Sequence, residues 1–189
     1  DRYAHCFFPL SPQTSVLVAR KKTPYHLFMP KKSDRLQAVM AWSCGKDGAL
    51  ALHRSFQRGD YEVLSLMTTV GEKIGRISVN GVREDLLDKQ VRATGLPLVK
   101  IPLPIPCPHQ VYEKRWEEAL APWKAKGVRH VLFADVKGDD IRRSREEMLS
   151  KIGMEAVFPL WGESTRALSQ EILNSTPCMT RNTVIIAIF

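Results

Sequence analysis

The sequence is poor in cysteine, with four in 189 residues and no Cys-x-x-Cys pair among them. Cys6, Cys44, Cys107 and Cys178 are too scattered for a disulfide framework or a zinc site, so a reducing, cytoplasmic compartment is expected. Long apolar runs are missing as well. The longest, Val184 to Phe189, is of strand length, against the ~18–20 apolar residues that a membrane span needs, so no membrane partner is expected. The first residues lack the apolar core and small-residue cleavage site of a signal peptide, and the start at Asp1 rather than Met is what a fragment shows. No internal repeat is present. Two phosphate-binding fingerprints are absent: a Walker A loop needs Gly-x-x-x-x-Gly-Lys-Ser/Thr, of which only Gly45-Lys46 is here, and there is no three-glycine dinucleotide turn.

An even spread of charge is also lacking. The net charge of +8 suggests nucleic acid, but its distribution argues against that partner. Residues 1–35 carry seven Lys/Arg and two acids, whereas the remaining 154 residues carry 21 bases and 18 acids. Residues 1–35 also hold Pro9, Pro12, Pro24 and Pro30 and no sustained period of 2 or 3.6. They read as a basic N-terminal extension, poorly ordered or loosely docked, and acid-poor like a transit peptide but without its amphipathic helix.

From residue 36 to 189 strands and helices alternate. The run from Leu36 to Trp42 suits a strand buried on both faces, followed by a turn and a helix to about Arg58. Further strands are expected at Tyr61–Val70, Leu98–Leu103, Val131–Ala134, Ala156–Leu160 and Thr183–Phe189. Helices are expected at Val82–Thr94, His109–Gly127, Asp139–Ile152 and Glu163–Leu173, with Gly71–Asn80 as a polar loop. On the Asp139 helix, Ile141, Met148, Leu149 and Ile152 form the expected inner face. This alternation implies a parallel sheet covered on both faces, with ligands bound outside the carboxyl ends of its strands. Three suspicious clusters follow strands at that edge: 43–48, 71–83 and 135–145.

The first cluster, Ser43-Cys44-Gly45-Lys46-Asp47-Gly48, joins a buried strand to a helix. Glycine allows close approach of backbone to phosphate, and a helix start offers free N–H groups and a positive dipole end. Ser43 can cap or donate, Lys46 adds charge, and Asp47 can meet Mg²⁺. Cys44 is either a thiol activated by the helix start or a tolerated small residue. Cys107, between two prolines, has no partner cysteine at motif spacing. Asp135 is either a metal or substrate contact or a helix cap. Arg142 and Arg145, three apart, share a helix face suited to a phosphate or carboxylate, or simply to solvent. Trp161 either stacks on a ligand or packs in the core, and His53 reads as a surface residue.

The loop resembles the PP-loop, Ser-Gly-Gly-x-Asp-Ser, of the ATP pyrophosphatase superfamily. Its lysine, together with Val79-Asn80-Gly81-Val82-Arg83, Gly95-Leu96-Pro97-Leu98, Ala134-Asp135-Val136, Arg142, Arg145 and Pro159-Leu160-Trp161-Gly162-Glu163, is similar to the diphthine–ammonia ligase family and its short bacterial relatives, over about residues 36–174. The resemblance implies a HUP-type (Rossmann-like) three-layer α/β/α sandwich around a mostly parallel sheet of five or six strands. It also implies ATP with Mg²⁺, cleavage between the α- and β-phosphates, adenylation of a carboxylate, and transfer of the acyl group to ammonia. By that likeness Ser43, Cys44, Gly45, Lys46, Asp47 and Gly48 wrap the pyrophosphate, with Asp47 toward the metal, and Thr68 lies near the adenosine. Lys46, Asp47 and Asp135 carry the chemistry. Asn80, Gly81, Arg83, Arg142, Arg145, Trp161 and Glu163 line the substrate side.

The chain departs from the family pattern at Cys44 and Gly48, where glycine and serine belong, at Asn80 for a frequent His, and at Ala134 for a glycine. Residues 137–140 are unusually polar, and 175–182 show no likeness. Each change is expected to weaken catalysis more than fold, since one lost hydrogen bond to a charged phosphate costs roughly 1.5–3 kcal/mol. Two other readings stand beside the ligase: a non-catalytic adenine-nucleotide-binding module, and an RNA-modifying enzyme that uses the basic extension. The sequence leaves room for a homodimer.

Overall fold

A computed structural model describes residues 35–179, with side chains to residue 174. The expected N-terminal extension, but for Arg35, and the expected strand at Thr183–Phe189 lie outside the described residues.

The elements run β1 (Leu36–Ala41), α1 (Lys46–Arg58), β2 (Tyr61–Gly71), β3 (Arg76–Ile77), α2 (Glu84–Thr94), β4 (Leu98–Leu103), α3 (His109–Ala125), β5 (His130–Leu132), α4 (Asp139–Ser150), β6 (Glu155–Val157) and α5 (Thr165–Met179). Five strands are parallel, in the order β4-β2-β1-β5-β6. The chain therefore builds outward from β1 in one direction through β2 and β4, then returns to build through β5 and β6. Such a Rossmann-like order reverses at β1/β5, and a crevice opens where the two directions part.

β3 is the one antiparallel strand of the described sheet, which is otherwise parallel as the expected mostly parallel sheet of five or six strands requires. It pairs antiparallel with Val70 and Gly71, which also pair with β4, so it takes the edge of β2 that β1 leaves free beyond Met67. This two-residue strand falls inside the segment expected to be a polar loop.

β1 explains the layering. Ala38, Met40 and Trp42 face one core, which α1, α2 and α5 cover with Leu50, Leu87, Val91 and Leu168. Val39 faces the other, built with Trp116 and Leu120 of α3 and Met148 and Leu149 of α4. A strand covered on both faces needs apolar residues at every position, which is why 38–42 does not alternate, while Leu36 and Gln37 at the start of β1 are exposed. Gly59 and Gly95 stop α1 and α2 in the left-handed conformation, φ 71° and 73°. On α4, Met148 and Leu149 are buried as expected, but Ile141 is exposed.

Candidate functional site

β1, β2 and β5 all end at the crevice. Ala41 ends β1 and Trp42 and Ser43 follow it, Met67, Thr68 and Thr69 lie in the second half of β2, and Phe133, Ala134 and Asp135 follow β5. Together they line a cavity of about 270 Å³, near the lower bound of ~300 Å³ for small-molecule sites. α1 starts at its rim with Gly45, Asp47 and Gly48, and α3 and α4 supply Tyr112, Trp116 and Arg145.

The turn after β1 is held from behind. Asn80 Nδ2 donates to the Ser43 carbonyl at 2.8 Å, and Gln90 Nε2 to the Cys44 carbonyl at 3.3 Å. With these carbonyls engaged, the free groups of the turn are its amides. Gly45 N–H reaches Ser43 Oγ at 3.4 Å, and the first intrahelical bond runs from Ala49 N–H to the Gly45 carbonyl at 3.2 Å. No side chain caps the start of α1. Its leading N–H groups and dipole therefore present a positive end to the cavity rim. A β-carbon at Gly45 would stand 3.3 Å from Ser43 Oγ, so glycine keeps the rim narrow.

Cys44 has φ 63°, in the left-handed region that favours glycine. Its side chain is 5% exposed and belongs to the core beneath α1. Burial pushes the thiol up to about 12. The thiol is therefore protonated at neutral pH, and the reading of Cys44 as an activated nucleophile has no support. Lys46 is exposed and donates to both carboxylate oxygens of Asp47, at 2.8 and 2.9 Å.

Inside the cavity several polar groups lack partners. Thr68, 2% exposed, and Trp116, 3% exposed, leave Oγ1 and Nε1 buried without hydrogen bonds. Asp135 Oδ2 and Arg145 Nε are also buried without hydrogen bonds, and form a loose ion pair with each other at 3.8 Å. Arg145 Nη1 donates to the Tyr112 hydroxyl, and its guanidinium lies 4.8 Å from the centre of the Phe133 ring. Buried polar groups are normally paired, and an orphan costs ~1–3 kcal/mol. Unbonded polar atoms gathered on the residues that line one cavity are what a site that satisfies them with a ligand looks like.

Of the residues singled out in the sequence, the structure brings Ser43, Gly45, Asp47, Gly48, Thr68, Asn80, Asp135 and Arg145 to this cavity. Others lie elsewhere. Gly81 accepts from Arg76 Nη1 at 2.7 Å, and Arg83 is exposed and pairs with Asp85 at 3.3 Å. Arg142 packs 5.0 Å from the Trp161 ring and 5.3 Å from Phe158 while bonding Glu146 at 2.7 Å. Trp161 is thus half-buried against protein. Glu163 is bound to Arg54. His53 is half-buried rather than superficial, and burial lowers its pKa from 6.5.

Tyr112 and Trp116 were legible only as part of the apolar stripe of α3. An aromatic on such a stripe reads as core, and nothing in its spacing shows that one polar atom faces a cavity.

No protein-family model and no curated protein matches the chain. Among solved structures it is similar to a predicted subunit of tRNA methyltransferase from Methanocaldococcus jannaschii. The identity is 15% and the TM-score 0.49, over 74% of this chain and 76% of that one.

Proposed function

We propose that the cavity binds ATP and that the chain is an ATP-dependent, AMP- and pyrophosphate-forming ligase that activates a carboxylate and amidates it. The observation that supports this most is a coincidence in space: the uncapped start of α1 and the residues whose buried polar atoms lack hydrogen bonds, Thr68, Trp116, Asp135 and Arg145, line one cavity at the point where the strand order reverses.

In this reading the leading amides of α1 and Lys46 hold the pyrophosphate end, and Thr68 accepts or donates on the nucleoside side. Mg²⁺ suits the residues present. It favours one or two carboxylates plus phosphate oxygens over an all-protein cage. Asp47 and Asp135 both line the cavity, and no group of three His, Cys, Asp or Glu able to hold a metal occurs among the described residues. When bound, the ion supplies charge neutralisation at the phosphates. A carboxylate oxygen attacks the α-phosphorus, the bond to the bridging oxygen breaks, and pyrophosphate leaves. Ammonia then attacks the acyl carbon, AMP leaves, and the surplus proton passes to solvent. The chain's part is positioning and electrostatic stabilisation, with no general base required.

A second reading, nucleotide binding without catalysis, draws on Gly48, which offers no hydroxyl, and on the engagement of Lys46 with Asp47. Calorimetric titration with MgATP, combined with chromatography for AMP, separates the two. Binding with AMP formation is expected, and both Lys46→Ala and Asp135→Asn should weaken binding by about tenfold or more. Binding without AMP selects the second reading. Unchanged affinity in both variants removes the cavity as the site.

A further inference from the structure

A second depression shares a wall with the cavity. It lies between the N-terminal turns of α3 and α4, holds about 440 Å³, and is lined by Cys107, His109, Asp140, Ile141 and Ser144. Tyr112 and Arg145 border both spaces. We propose that this groove binds the acyl substrate, a small polar carboxylic acid, with its carboxylate on Arg145 at the shared wall. The reaction assigned to that carboxylate rests on the ligase reading above; its binding does not.

Arg145 carries the argument. A guanidinium has five donors in a planar fork. Here Nη1 bonds Tyr112, Nε stands 3.8 Å from Asp135 without a hydrogen bond, and no hydrogen bond holds Nη2 among the described residues. The Tyr112 hydroxyl and the Phe133 ring fix the group in place, and its charge is offset only by the 3.8 Å ion pair with Asp135. A fixed arginine with donors to spare matches a carboxylate. Asp135 occupies the Nε side of the fork, so the vacant donors serve best an anion arriving from the groove.

The groove fits that arrival. α3 and α4 both start at it without a side-chain cap, Pro108 and Gly138 standing at the cap positions. Two dipole ends therefore favour negative charge, while Asp139 and Asp140 in the first turn of α4 offset part of the field. The lining chooses the class of acid. A thiol, an imidazole, a carboxylate and a hydroxyl surround one apolar side chain, Ile141. A fatty chain would leave those groups dry, whereas a short polar acid can pair with them. The exposure of Ile141, at odds with its expected place in the core, is explained by its position in this wall.

Cys107, half-buried in the same groove, makes the proposal testable through iodoacetate, a small acid that alkylates thiols, against its neutral counterpart iodoacetamide. Peptide mass mapping isolates the reaction at Cys107. The ratio of the iodoacetate to the iodoacetamide rate should exceed the ratio for free cysteine by about tenfold or more, with saturation in iodoacetate. Arg145→Gln should abolish the excess. Tyr112→Phe, which keeps the ring and frees the guanidinium, should reduce it and decides the matter where the first variant does not fold. A Cys107 ratio equal to that of free cysteine overturns the proposal, as does an excess that survives in the variants. MgATP titration of the carboxymethylated chain keeps the two ideas apart. Retained ATP affinity with loss of AMP formation is expected, whereas an intact iodoacetate preference in a chain that binds no ATP sinks the ligase reading and leaves the groove.

Discussion

The seam between α1 and α5 and the cavity above β1, β2 and β5 each centre on an arginine, and they treat it in opposite ways. Arg54 is 8% exposed, and its fork is used up. Nε donates to Glu171 at 3.0 Å, Nη2 to Glu163 at 2.9 Å, and further bonds run from Nη1 to Glu163 and from Nη2 to Glu171. Arg145, on the other face of the sheet, has one hydrogen bond to a neutral hydroxyl and a single loose ion pair, at 3.8 Å, with no hydrogen bond to the carboxylate. Burial alone does not separate structural charges from ligand-binding ones. Satisfaction does: the seam is complete without a partner, and the cavity is not.

The comparison breaks most visibly if Arg54 is removed. Arg54→Met strands two carboxylates beside a buried surface, and losing one side of a buried ion pair typically costs 3–5 kcal/mol. Glu163 and Glu171 keep about a third of their surface in solvent, which screens part of that, so about 2–3 kcal/mol is expected in urea unfolding, with MgATP affinity unchanged. A loss of nucleotide affinity at constant stability would show that the seam belongs to the site. The same seam sets a pH dependence. Hydrogen bonds from Arg54 hold both carboxyls below their ordinary 4.5. A depressed carboxyl contributes stability that is complete above its unfolded pKa and is lost as pH falls through the folded value. His53, lowered from 6.5 by burial, likewise favours the folded state above 6.5 and loses that contribution below it. The melting temperature should thus fall from pH 6.5 downward and more steeply below 4.5, and Arg54→Met should lack the steeper part.

The cavity predicts the reverse pairing of effects. Thr68→Val keeps the shape of a buried side chain and removes its orphaned hydroxyl. In an ordinary core the change would break a hydrogen bond and destabilise. Here it should raise stability by about 1 kcal/mol, because an unpaired group no longer has to be buried, while weakening MgATP binding by about tenfold. A variant that loses stability and keeps its affinity would mean that Thr68 is a structural residue like Arg54.

How far such contrasts could be read in the sequence depends on how local their causes are. The core strands and the helices that cover them announce themselves through runs such as 36–42 and through stops at Gly59 and Gly95, because burial and helix termination are written into adjacent residues. β3 does not, since two residues have no period and their pairing is decided by the free edge of β2. The 43–48 turn and Asp135 were placed at one sheet edge because each follows a strand, whereas Thr68, inside β2, was singled out only by the resemblance. The i, i+3 spacing of Arg142 and Arg145 put both on one helix face, yet Phe158 and Trp161 draw the first away and Tyr112 and Phe133 hold the second. Glu163 belongs to the seam through Arg54, 109 residues earlier in the chain. Partners that distant leave no mark on spacing.

The smallest effect probes the turn itself. At φ 63° a β-carbon crowds the following carbonyl at a cost of about 1–2 kcal/mol, and Cys44 bears it while its thiol fills the core. Cys44→Ala keeps the strained backbone and gives up the buried sulfur, which is a loss on both counts. Cys44→Gly gives up the sulfur and the β-carbon but relieves the backbone. Alanine is ordinarily the more stabilising of the two, by roughly 0.5–1 kcal/mol within regular structure. At position 44 the order should invert, with glycine above alanine by about 0.5–1 kcal/mol in urea unfolding. MgATP affinity should be alike in both, because the thiol points away from the rim where the phosphates would lie. Alanine above glycine would place residue 44 outside the left-handed region. The turn would then aim its amides elsewhere, and the cavity would lose the positive end that distinguishes it from the seam.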